Sequence, residues 1–140
     1  MSSAKVNNQN MFGQTPLIVA IRAGKTEKSA SLLKVQELDV NIKDNEGRTA
    51  LMHASILGNL NIVKLILQRE EVDVNLKDNY GYLALTHALE GATQGLQQIE
   101  LNFFPAVNPD IYLNIFRLIL EREREALNGA EQNWNQQETS

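Results

Sequence analysis

A chain of 140 residues, 43% of them hydrophobic, has the length of one domain able to bury roughly two-thirds of its unfolded surface. The absence of cysteine excludes a disulfide framework, a thiolate metal site and a cysteine nucleophile together, leaving two histidines as soft ligand candidates. A formal net charge of -4, with lysine and arginine thinly spread, argues against nucleic acid or an acidic membrane as partner, because phosphate binding needs clustered cations.

The longest apolar stretch near the start, Leu17 to Ile21, is too short for a signal-peptide core or a membrane span. The expected compartment is therefore the cytoplasm, or a host cytosol if the chain is a secreted effector. Residues 1–9 are small and polar and read as a flexible arm. Thr15 followed by Pro16 is a hydroxyl N-cap and then a proline whose missing N–H costs nothing at the first helical position. That short helix should end near Gly24, and a second one follows over about Thr26 to Val35. From Val40 to Gly47, an extended arm, turn-forming Asp and Asn and a glycine predict a hairpin tip, repeated from Val74 to Gly81. Thr49 caps the next helix, with Leu51 and Ala54 on its buried face, and Ile62, Val63, Leu65 and Ile66 recur at helical spacing.

The last third is longer. The run Asn61 to Arg69 is echoed by Asn114 to Arg122 after 53 residues, so about nineteen extra residues, near 93–111, separate two helices. The helix before them either continues by two or three turns, which is the favoured reading, or breaks into an ordered loop. Asn108 and Pro109 open the final helix, which should run to about Leu127 and stop at Asn128 and Gly129. The rest, 129–140, reads as a flexible tail.

One period runs through these segments. Asp39, Val40, Asn41, Lys43, Asp44, Asn45, Gly47, Ala50, Leu51, His53 and Ala54 each have an identical residue 34 positions later, and Gly13, Thr15, Leu17, Ala20 and Gly24 continue the register backward. A fixed period of this size signals one supersecondary unit stacked on copies of itself, none able to bury its apolar face alone. The polar Lys28, Ser29 and Ser31, standing where the next copy has Ile62, Val63 and Leu65, read as the solvated flank of an end unit. Residues 13–24, Gly-Gln-Thr-Pro-Leu-Ile-Val-Ala-Ile-Arg-Ala-Gly, and 47–58, Gly-Arg-Thr-Ala-Leu-Met-His-Ala-Ser-Ile-Leu-Gly, each lead into a helical run and Asp-Val-Asn. This pattern resembles the ankyrin repeat, most strongly over residues 10–92; the tetratricopeptide pattern of similar length is absent. The resemblance implies an all-α solenoid of helix-turn-helix units joined by β-hairpin-like loops, with repeats at about 10–41, 42–75 and 76–128.

Chemistry is sparsely represented. His53 and His87 hold the same place in consecutive units, and helices about 8–10 Å apart set their imidazoles too far apart to share one ion, so they read as structural. The family's own histidine position holds Ile18, Met52 and Thr86. Glu121, Arg122, Glu123, Arg124 and Glu125 read as a solvated face of weak i,i+4 pairs. No local triad signature and no phosphate-cradling glycine loop is present. No enzyme activity, no cofactor and no metal is expected.

In ankyrin proteins the hairpin tips and first helices commonly line a concave groove that binds partners. By alignment the resemblance implies Met11, Phe12, Gln14 and Arg22 in the first unit. It adds Asn45, Glu46, Arg48 and Leu57 in the second, and Asn79, Tyr80, Tyr82 and Glu90 in the third. Tyrosine, phenylalanine and arginine are the types in which binding energy concentrates. The insertion's Leu101, Phe103, Phe104 and Pro105 either cover the end of the stack over Ile115, Phe116 and Leu120, the favoured reading, or offer a docking site; Trp134 fits either role. Leu33 and Leu67 precede Asn41 and Asn75 by eight residues, resembling ankyrin sites of asparagine hydroxylation, though an asparagine in a turn needs no such explanation. The expected function is a monomeric, non-catalytic adaptor or inhibitor of an unidentified protein. The alternative is a bacterial effector or regulator acting through the insertion and tail.

Overall fold

The computed structural model describes residues 3–100 and 108–138, with side chains over 5–94 and 108–129. The helices are α1 (Ser3–Val6), α2 (Pro16–Arg22), α3 (Thr26–Leu33), α4 (Ala50–Leu57), α5 (Leu60–Leu67), α6 (Ala84–Glu100) and α7 (Pro109–Glu138). No strand occurs among the described residues. The pairs α2/α3, α4/α5 and α6/α7 stack so that α2, α4 and α6 form one row and α3, α5 and α7 a second. The core runs lengthwise between the rows through Leu17, Ile18, Ile21, Met52, Ile62, Ile66, Ile115 and Ile119, all fully buried.

Local chemistry starts each unit. The Thr15 hydroxyl accepts the Ile18 N–H at 3.3 Å ahead of Pro16, and the Thr49 hydroxyl accepts the Met52 N–H at 3.4 Å. Asn59 does the same for Ile62 at 3.3 Å. In the third unit Leu83 replaces the threonine, so the start of α6 lacks a hydroxyl worth about 1 kcal/mol.

Each tip is wound around one carboxylate. Asp44 accepts the N–H groups of Glu46 and Arg48 on Oδ1, each at 2.9 Å, and His53 Nε2 donates to its Oδ2 at 2.7 Å. Asp78 repeats this with Tyr80, Tyr82 and His87, the last at 2.9 Å. In the first unit the neutral Asn10 carries the Phe12 and Gln14 N–H groups, and Val19 stands where the others have histidine. The histidines therefore tie tip to helix. Burial holds the His53 imidazole below its ordinary pKa, opposed by Asp44 and aided by Arg22 and Arg48. Burial alone would raise the Asp78 carboxyl, but the bonds from Tyr82, His87 and Tyr80 outweigh it and leave the group below the usual carboxylate range.

Asparagine joins one tip to the next. The Asn45 N–H donates to the Phe12 carbonyl at 3.0 Å and its side-chain amide to the Met11 carbonyl at 3.0 Å. Asn79 repeats the two bonds on Glu46 and Asn45, at 2.9 and 2.8 Å. This close passage requires Gly47: its φ is 76°, and a Cβ there would lie 2.5 Å from Asn79 Oδ1 and 2.8 Å from Asn79 N. A second ladder joins the arms. The Asn41 side chain donates to the Glu71 carbonyl and accepts the Asp73 N–H, at 2.8 and 2.9 Å, so both ends of its amide are engaged in the turn. Arg69 closes the end of the preceding unit, its guanidinium donating to the carbonyls of Leu33, Val35 and Leu38 at 2.8 to 3.0 Å.

Several expectations are corrected. Within the supposed loose arm 1–9, Ser3–Val6 is helical and Val6 is fully buried. Asn7 is the register equivalent of Asn41, donating to the Glu37 carbonyl and accepting the Asp39 N–H. Ser29 is buried rather than solvated, its hydroxyl bonded to the Lys25 carbonyl at 2.8 Å, while Lys28 and Ser31 are exposed. Asn128 and Gly129 do not stop the last helix: it continues to Glu138 through the tail, since one glycine costs about 1 kcal/mol in a helix and the alanine, glutamate and glutamine around it favour continuation. Arg122 is not a member of a solvated pair but donates to the Glu70 carbonyl at 3.0 Å, and among the described residues none of 121–125 forms an ion pair. The expected continuation of α6 through Gly91 and Gly95 is present to Glu100. Leu101, Phe103, Phe104 and Pro105 lie outside the described residues, as does the side chain of Trp134.

The returning chain is anchored by Tyr112. Its hydroxyl donates to the Ile56 carbonyl at 3.1 Å, and its ring lies so close over Gly91 that any Cβ there would collide with it.

Two predictions follow from these ties. Gly47→Ala should cost about 2–4 kcal/mol in urea unfolding, combining left-handed strain with the Asn79 collision, whereas Gly81→Ala should cost only about 1 kcal/mol of strain. Gly81 has φ 83° and no neighbour within 4 Å, so equal losses would show that the Asn79 contact contributes nothing. The second concerns pH. Unfolded His53 protonates near its ordinary value of 6.5 and the folded residue only below it, so its contribution is fully present above that pH and lost as pH falls. The difference in Tm between the native chain and His53→Gln should therefore shrink between about pH 7.5 and 5.5, and a constant difference would contradict the assignment.

Candidate partner-binding groove

The tips and the first helices form one face of the stack, and most of the expected residues fall into two groups on it. Met11 and Phe12 are 83% and 60% exposed at the first tip, with backbone carbonyls that receive Asn45. Gln14 is half-buried and bonded to Asn10. Asn45 and Asn79 are exposed, but their side-chain amides hold neighbouring tips together. They are supports of the rim before they are contacts.

The second group meets at the boundary between units two and three. Arg48 Nη1 stands 3.1 Å from Glu46 Oε2 and its Nε 3.6 Å from Asp78 Oδ2, while its guanidinium carbon lies 6.0 Å from the centre of the Tyr80 ring. That Nε is buried without a hydrogen-bond acceptor among the described residues, held by the charge of Asp78 rather than by a bond. Tyr82 turns the edge of its ring to His87, centres 5.7 Å apart at 87°, and His87 is itself fixed by Asp78. One buried carboxylate thus orients Arg48, His87 and the backbone under both tyrosines. The tyrosines remain 66% and 46% exposed, so their large apolar rings are presented on a rigid base.

Beneath them opens a cavity of about 290 Å³ lined by Arg48, Ile56, Tyr82, His87, Glu90 and Tyr112, with Gly91 and Gln94. Ile56 was missed by the sequence reading, which took Leu57. Its signal was available, because Ile56 lies 34 residues from both Arg22 and Glu90. Leu57 instead lines a separate hollow of about 720 Å³ with Arg22, Gly24, Thr26, Asn59 and Ile111, at the loops joining the helices of each pair. Tyr112 was also missed, since only the fold brings it over the first-helix row.

Both Asp–His pairs are engaged in holding the tips. Among the described residues no cluster of three histidine, aspartate or glutamate side chains is arranged to hold a metal ion, and no helix is long and apolar enough to cross a membrane. The surface offers shape, aromatic area and fixed charge, which are means of recognition.

The family model described as ankyrin repeats (3 copies) matches residues 1–78 and 29–99. Similar solved structures include the ankyrin repeat protein EF0377, 30% identical over 84% of this chain with a TM-score of 0.64. Another is an ankyrin repeat domain from Acinetobacter baumannii AYE, 31% identical over 84% with a TM-score of 0.63. The chain spans about half, 52%, of each of those chains. None of the curated proteins matches it. Ankyrin repeats are generally protein–protein interaction modules and typically non-catalytic. With the 34-residue register, the paired helical rows and a family match over most of its length, the chain belongs to the ankyrin repeat family.

Proposed function

We propose that this chain is a cytoplasmic, non-catalytic adaptor or inhibitor that grips a protein partner in the groove formed by its tips and first helices. The observation that supports it most is the pair of exposed rings at Tyr80 and Tyr82 on a base held by Arg48, Asp78 and His87. A surface that keeps its shape before contact loses little ordering entropy on binding, so a few aromatic anchors decide affinity. Phe12 and Met11 extend the same rim to the first unit, where they add apolar area.

Replacing Tyr80 and Tyr82 together by alanine should weaken capture of the native partner at least about tenfold, equivalent to about 1.4 kcal/mol. The thermal transition should move little, since both side chains stand at the exposed tip and neither belongs to the buried core. Undiminished capture would contradict the assignment of the site. Removing residues 130–140 supplies the opposite test: a groove binder retains its partner, whereas a protein acting through its tail loses it.

A further inference from the structure

Arg22, Ile56 and Glu90 occupy one position in three consecutive units, at corresponding places on α2, α4 and α6. Their character changes from basic to apolar to acidic along the row. Ile56 and Glu90 line the same cavity, while Arg22 lies one unit further along the row, on α2 packed against α4, at the edge of the separate 720 Å³ hollow. Both end charges are exposed, and among the described residues neither forms an ion pair or hydrogen bond. Arg48, by contrast, is already held by Glu46, Asp78 and Tyr80. The groove therefore carries one engaged cation and two uncommitted charges of opposite sign at its ends.

Neighbouring helices lie about 8–10 Å apart, and an extended chain in the polyproline II conformation advances about 3.1 Å per residue and turns every third side chain to the same face. Three residues of an extended segment thus span one unit. A helical segment, at about 1.5 Å per residue, would need six or seven. Charges covered by a partner are costly unless matched, and like charges set against each other cost more, so the row selects by sign.

We infer that the groove receives an extended protein segment of mixed charge, with an acidic side chain at Arg22, an apolar one at Ile56 and a basic one at Glu90, each three residues from the next. This rests on the groove reading above and specifies its partner class. Either chain direction serves, provided that the order of the acidic and basic residues in the segment reverses with it. The cavity beside Ile56 and Tyr82 takes the apolar side chain, and Glu90 stands on its wall to meet the cation.

The test is fluorescence polarisation on the intact chain with three labelled peptides of one length: Asp-x-x-Leu-x-x-Arg, the same with acid at both ends, and the same with base at both ends. The mixed peptide should bind at least about tenfold tighter than either other one. Arg22→Glu should transfer the preference to the doubly basic peptide, and Glu90→Arg to the doubly acidic one; both positions are exposed, so folding is retained. A ranking unmoved by these exchanges, no binding by any peptide up to about millimolar concentration, or tighter binding of a peptide with its anchors seven apart overturns the proposal. The Tyr80→Ala, Tyr82→Ala chain separates the two readings. If it weakens all three peptides while the charge exchanges reorder none, the charge register fails and the groove stands. If the exchanges reorder the peptides and the tyrosines have no effect, the tyrosine rim fails.

Discussion

Asn79 lies across Gly47 with its N–H on the Glu46 carbonyl and its side-chain amide on the Asn45 carbonyl, and Asn45 does the same one unit earlier against Phe12 and Met11. No single unit of this chain could bury its apolar face, so everything depends on units meeting in one register. A purely hydrophobic interface would allow sliding, because burial is non-directional. The asparagine bonds are directional, and a glycine with no Cβ is what lets them form. The Asn7 and Asn41 ladder and the reach of Arg69 to the carbonyls of Leu33, Val35 and Leu38 repeat the same logic at other heights of the stack. All of these ties link adjacent units.

Within a unit, the buried carboxylates of Asp44 and Asp78 do the corresponding work. Each accepts two backbone N–H groups of its own tip and a histidine N–H from its own first helix. A buried carboxylate is tolerated only when its bonds are satisfied, and a half-made network would cost more than an apolar replacement. The reward is placement: the loop that carries Tyr80 and Tyr82 is fixed to the helix that carries Glu90. Tyr80 and Tyr82 follow Asp78 by two and four residues and Glu90 follows His87 by three, so the bonded pair fixes both the tip and the helix beside it. The first unit, with Asn10 and Val19 in the same places, has no histidine tie, and Asn10 is joined there by Gln9, whose side-chain amide donates to the Gly13 carbonyl at 2.7 Å.

Much of the fold was legible in the sequence, because the period of 34 and the caps at Thr15, Thr49 and Asn108 act locally and leave fixed residue types. What escaped it depends on neighbours. Asn7 repeats Asn41, but no apolar pattern surrounds it, and only its bonds to Glu37 and Asp39 reveal its register. The stop expected at Asn128 and Gly129 does not occur, because a local preference at two residues is overridden by the helix formers after it. Tyr112 and Arg122 look like ordinary helix surface until α7 is laid against units that lie more than fifty residues away. The Asp–His ties were visible in principle, since both pairs are separated by nine residues in the repeated segment. At the candidate site, the register places Ile56 with Arg22 and Glu90, one position before the Leu57 that alignment implies.

The central claim is that cross-tip asparagine bonds hold the units in register and so keep the groove formed before any partner arrives. Amide hydrogen exchange at Asn45 and Asn79 tests it most directly, because their N–H groups donate to Phe12 and Glu46 across the unit boundary. Both amides should exchange only as fast as the core of α4 and α5 unfolds, despite lying in exposed tips. Exchange at the rate of an unstructured peptide, while the helical amides stay protected, would mean that the tips move independently and the account fails.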